Sequence, residues 1–69
     1  MDQMTKINSN KVRERIQALD LKHYWVAEEA GVHKTTLRRW LNGRIGQVKT
    51  KNLARLAFVL STDPTQLAS

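Results

Sequence analysis

The sequence predicts an all-α fold, a compact body of five short helices. Three observations lead there. Apolar residues recur at helical spacing in several separate stretches. Those stretches end at helix-stop signals, Gly31 and the pair Asn42-Gly43. No stretch sustains the alternation of apolar and polar residues that a half-buried strand needs.

The 69 residues make one small domain. A body of this size buries only about 60% of its unfolded surface. Without cysteine there are neither disulfides nor thiolate metal sites, so helix packing must carry the stability.

The elements follow in order. Residues 1–7 are polar and mixed and read as a flexible N-terminal arm, with the folded domain spanning 8–69. "NSN" at 8–10 supplies helix caps, because short polar side chains accept the unpaired N–H groups of a first turn. Val12, Ile16 and Leu19 form one stripe, giving helix 1 over 9–19. Helix 2 fits 23–30, with Val26, Ala27 and Ala30 on one face and Gly31 as its stop. Helix 3 fits 34–41, with Leu37 and Trp40 inward. Residues 44–49 read as a loop, after which Thr50 caps helix 4, whose stripe is Leu53, Leu56, Ala57 and Leu60. "TDP" at 62–64 opens a fifth helix through Leu67, with proline at its first position. Trp25 lies off the main stripe and is expected to pack beside helix 1 or 4. Tyr24 and Phe58 are expected to face water.

Charge narrows the partner. Twelve Lys/Arg against six Asp/Glu leave +6 on a small body, which suits a polyanion: nucleic acid or an anionic membrane surface. No apolar run approaches the ~20 residues of a membrane span. Gly31 and Asn42-Gly43 interrupt any long amphipathic surface helix. The N-terminus lacks a signal-peptide core, so a cytoplasmic location is expected, on the nucleoid when bound to DNA.

Helices 2 and 3 are joined by about three residues centred on Gly31, and helices linked that tightly cross steeply, as in a helix-turn-helix. The helix-turn-helix core is expected over 22–42. A helix turns about 100° per residue. With Leu37 inward, Thr35, Arg38, Arg39 and Asn42 fall on one outward arc and Lys34 on its leading edge. That face suits a groove lined by phosphates and base edges: Arg bonds guanine bidentately, Thr offers a hydroxyl or methyl, and Lys reaches phosphate or guanine. Tyr24 adds a hydroxyl that could bond a phosphate.

From Leu21 to Gly43, "LKHYWVAEEAGVHKTTLRRWLNG" resembles the helix-turn-helix of the phage-repressor and Cro-like (XRE) family. The matching features are Leu21, Val26-Ala27, Gly31-Val32, Thr36-Leu37 and Asn42-Gly43, and "TKNLARLAFVLSTDPTQL" resembles the family's fourth helix and the start of its fifth. The resemblance implies a repressor-like domain that binds double-stranded DNA in a sequence-specific way and regulates transcription, with helix 3 in the major groove. Carried over by position, base contacts fall on Lys34, Thr35 and Arg39, with His33 beside them. Phosphate contacts fall on His23 and Asn42, and the loop residues Arg44 and Lys49 follow the backbone. It further implies a homodimer on DNA and a C-terminal dimerisation or sensing domain beyond these residues.

The chain departs from the family at several places. "HYW" stands where a polar or acidic run is usual. Ile16 and Leu41 replace an Arg–Glu pair, so an apolar contact is expected there. His33 replaces a Ser or Thr cap, which weakens the start of helix 3. Two neighbouring uses stay open: the DNA-binding antitoxin of a toxin pair, and a helix-turn-helix module used only for protein interaction.

The remaining chemistry is sparse. His23 and His33 are ten residues apart with no carboxylate set nearby, so no metal site is expected. Glu28 and Glu29 are adjacent and point in different directions on a helix, so they make no acid–base pair. No phosphate-cradling glycine loop or activated nucleophile is visible. No cofactor and no enzyme activity are expected.

Overall fold

The computed structural model describes residues 3–44 and 46–69. The first two residues of the expected arm, and Ile45 in the expected loop, lie outside the described residues. The elements are β1 (Met4–Lys6), α1 (Ser9–Ala18), α2 (His23–Ala30), α3 (Lys34–Leu41), β2 (Gln47–Lys49), α4 (Thr50–Val59) and α5 (Pro64–Leu67).

The five helices stand where their apolar periods put them, α2 and α3 with the expected bounds. Asn8 caps α1, its side chain accepting from the Lys11 N–H at 3.1 Å. Leu37, Leu53, Leu56 and Leu60 are at most 1% exposed and share one core with Val12, Ile16, Val26 and Trp40. Each such leucine contributes about 1.5–3 kcal/mol relative to leaving it exposed. Ile16 and Leu41 are both in that core.

The first four helices also end alike. Gly31 and Gly43 follow α2 and α3 with φ near +70°, while Asp20 and Ser61 follow α1 and α4 with φ of 52° and 55°. In each case the N–H just beyond the left-handed residue reaches back five positions: Leu21 to Ile16, Val32 to Ala27, Arg44 to Arg39 and Thr62 to Ala57. These bonds satisfy carbonyls that a helix end leaves unpaired.

Two expectations are corrected. The arm and the loop are not structureless: β1 and β2 pair antiparallel, with Met4 opposite Lys49, Thr5 opposite Val48 and Lys6 opposite Gln47. Val48 supplies the reason, since it is 3% exposed while Gln47 and Lys49 point outward. Three residues are too few to show alternation in sequence, and a two-stranded ribbon alone is marginal in water. Here it is anchored by Val48 and by Ile7, which is 7% exposed, and it packs on α4. Thr50 is not a cap either. It is the first residue of α4, and its hydroxyl shares a 2.6 Å hydrogen bond with that of Thr5, which ties the helix to the ribbon.

Trp25 is only partly covered. It is 40% exposed, on the outer part of α2, whereas Trp40 is 3% exposed. Among the described residues no helix is long and apolar enough to cross a membrane.

Candidate nucleic-acid interface

The joint between α2 and α3 is short because Gly31 reverses the chain in one residue (φ 74°, ψ 28°). A side chain there would be strained by φ and crowded in space: a Cβ would lie 3.1 Å from Arg55 Nη1 and 3.2 Å from its Cζ. The guanidinium of Arg55, reaching from α4, therefore rests on the turn itself. A cation there also suits the negative end of the α2 dipole.

Helix α3 begins at His33, which is extended (φ −71°, ψ 147°). Its ring Nδ1 accepts from the Thr35 N–H at 3.1 Å. His33 thus caps α3 as a Ser or Thr would, and the expected weakness at this start is corrected. Its Nδ1 being engaged, any outward contact from His33 uses the other ring nitrogen.

The two faces of α3 separate cleanly. Leu37, Trp40 and Leu41 are buried. Lys34, Thr35, Arg38, Arg39 and Asn42 are all exposed. His23 and Tyr24, in the first turn of α2, meet Lys34 and Arg38 across a notch of about 170 Å³ floored by Leu37. Four of the residues singled out from sequence are thereby brought together. Thr35 and Arg39 lie elsewhere on the outer face. Asn42 borders a second, polar concavity with Asn8, Asn10 and Arg13. Arg44 and Lys49 are exposed on the segment after α3, Lys49 at the end of β2.

The far end of α3 is held by α1, which sequence reading missed. Ser9 Oγ donates to the carbonyl of Trp40, and Arg13 Nη2 donates to the carbonyl of Leu41. Ser9 and Arg13 are one helical turn apart, at the border of the Val12–Ile16 stripe. That spacing was the available signal, but a polar pair beside a stripe usually means a solvated edge.

The arrangement is a basic, hydroxyl-bearing ridge on a fixed helix. Among the described residues no three His, Cys, Asp or Glu gather as a metal site. Residues 10–69 match the profile of a helix-turn-helix domain family. The chain belongs to this family. No curated protein matches this helix-turn-helix chain. Solved structures do. PhpD with cadmium atoms is 28% identical, with a TM-score of 0.76 over 93% of this chain and 13% of that one. A variant of hydroxyethylphosphonate dioxygenase is 28% identical, with a TM-score of 0.76 over 93% of this chain and 14% of that one. Apo-HppE is 26% identical, with a TM-score of 0.78 over 88% of this chain and 34% of that one. The helix-turn-helix chain thus spans at most about a third of the length of these three structures.

Proposed function

We propose that this helix-turn-helix domain binds double-stranded DNA in a sequence-specific way, as the repressor-like (XRE-type) DNA-binding part of a transcription regulator. The observation that carries the reading is the outer face of α3. Lys34, Thr35, Arg38 and Arg39 stand exposed on a helix whose other face is fully buried, so the face is rigid as well as basic. α3 enters the major groove by its first turn. Lys34, Thr35 and Arg39, with Arg38 and the outer nitrogen of His33, read base edges. His23 and Tyr24 at the start of α2, with Asn42, Arg44 and Lys49, hold phosphates and set the register. The domain acts without cofactor or catalysis, in the cytoplasm on the nucleoid, and it regulates by occupying twofold sites as a pair.

A second reading has its own support. The similar solved structures are longer proteins, one named as a dioxygenase, in which this fold is a minor part. A helix-turn-helix in that setting can serve as a scaffold or protein-interaction module. A gel-shift titration with random duplex DNA at two salt concentrations separates the two. A regulator binds, and its affinity falls steeply as salt rises because each neutralised phosphate releases counterions. Selection from a random duplex library then returns one preferred sequence. Absence of binding at low salt removes the DNA reading in favour of the module.

A further inference from the structure

One patch belongs to neither the core nor the α3 face. Phe58 on α4 is 86% exposed. Ala54, Arg55 and Val59 of α4 surround it, and Glu29 of α2 closes the same shallow concavity. Trp25, 40% exposed, stands one turn before Glu29 on α2. α3 packs on α1 and α2, whereas α4 packs on α2, α5 and the strands, and this patch shares no residue with the notch beside α3. The Leu67 end of α5 adds nothing to it, because Leu67 is 1% exposed.

A single wet aromatic is ordinary surface. A strongly exposed aromatic framed by one acid and one base is a different case. We propose that this patch is a self-association surface whose occupant is the same patch on a second copy of the chain. The charge pattern selects that occupant. At +6, two copies repel over most approaches. Here the local charges are Glu29 and Arg55, which cancel. A twofold contact sets Glu29 of each copy against Arg55 of the other and Phe58 against Phe58, the self-complementary arrangement of an isologous interface. A uniformly acidic or basic partner would satisfy only one of the two charges. The patch is much smaller than the ~800 Å² per partner of a standard interface, so the contact is weak. It becomes effective where copies are concentrated, as when two lie on one duplex. That last use rests on the DNA-binding reading; the self-contact does not.

The test is sedimentation equilibrium of the 69-residue chain without DNA, from about 10 μM to about 1 mM, a range that reaches a millimolar Kd at its upper end. The apparent mass rises toward the dimer at the upper end. Phe58→Ser abolishes the rise. Glu29→Arg and Arg55→Glu each weaken association by at least about tenfold. Mixed together they restore it, because each bad pairing is then replaced by an opposite-charge one. Because Arg55 rests on Gly31, thermal melts accompany each variant. If Arg55→Glu fails to fold, Ala54→Arg, on the same patch, blocks association in its place. A wild type that stays monomeric to about 1 mM, a Phe58→Ser chain that associates like wild type, or a mixture without recovery overturns the proposal. Omitting DNA keeps this result separate from the fate of the regulator reading.

Discussion

The guanidinium of Arg13, on α1, donates to the carbonyl of Leu41, the last residue of α3. Ser9 does the same for Trp40 one turn earlier. Helix α3 is thus held at both ends: by the His33 cap at its start, and by two side chains of α1 at its finish. Arg13 thereby sets a cation on a helix-terminal carbonyl, where the dipole already favours positive charge.

Arg13→Gln tests this anchoring. The lost charge-assisted bond is expected to cost about 1 kcal/mol in urea unfolding. In DNA binding, the preference for the selected site over random duplex falls several-fold, because α3 is less sharply oriented. The salt slope stays unchanged. A slope that flattens by about one, with the preference intact, would show Arg13 to be a phosphate contact instead.

The glycines give an ordered pair of predictions. Gly43→Ala meets only the φ penalty, about 1–2 kcal/mol, since a Cβ there lies 3.8 Å from Ser9 Oγ. Gly31→Ala meets the same penalty and must also displace Arg55. Urea unfolding should therefore rank Gly31→Ala as the more damaging. Equal costs would mean that Arg55 swings aside freely. The converse change, Ser61→Gly, relieves a left-handed serine and is expected to stabilise by up to about 1 kcal/mol.

The His33 cap predicts a split between substitutions. His33→Ala leaves the Thr35 N–H without its acceptor and costs about 1 kcal/mol, while His33→Ser restores an acceptor and costs little. If melting temperatures of the two variants coincide, the ring nitrogen is not stabilising the helix.

Much of this was legible in the sequence because helices announce themselves locally. Leu37, Trp40 and Leu41 fix the orientation of α3 by their spacing alone, and with it the exposure of Lys34, Thr35, Arg38 and Arg39. Gly31 marks a left-handed turn through its own lack of a side chain. What stayed hidden depends on partners far away in the chain. The strand pairing joins Thr5 to Val48, and neither three-residue segment carries enough pattern to declare itself. Arg13 and Arg55 look like solvated charges until the fold brings Leu41 and Gly31 beside them. His33 was undervalued because Nδ1 is an uncommon cap acceptor. Trp25 lies off the buried face of α2, which Val26, Ala27 and Ala30 fill.

The last prediction addresses the groove face directly. Arg39→Ala should cost about 1–3 kcal/mol on the selected site and relax preference at one base pair, as expected for a bidentate contact to guanine. Arg44→Ala, on the segment after α3, should weaken all sequences about equally and reduce the salt slope by roughly one. Neither side chain is buried, so both variants should melt like wild type. Binding of each is measured by fluorescence anisotropy on the selected duplex and on a scrambled one, across a salt series. The contrast between the variants is the decisive quantity. If Arg39→Ala weakens both duplexes equally, Arg39 contacts the backbone, and base reading falls to Lys34 and Thr35. If Arg44→Ala changes sequence preference without altering the slope, the segment after α3 reads bases rather than phosphates.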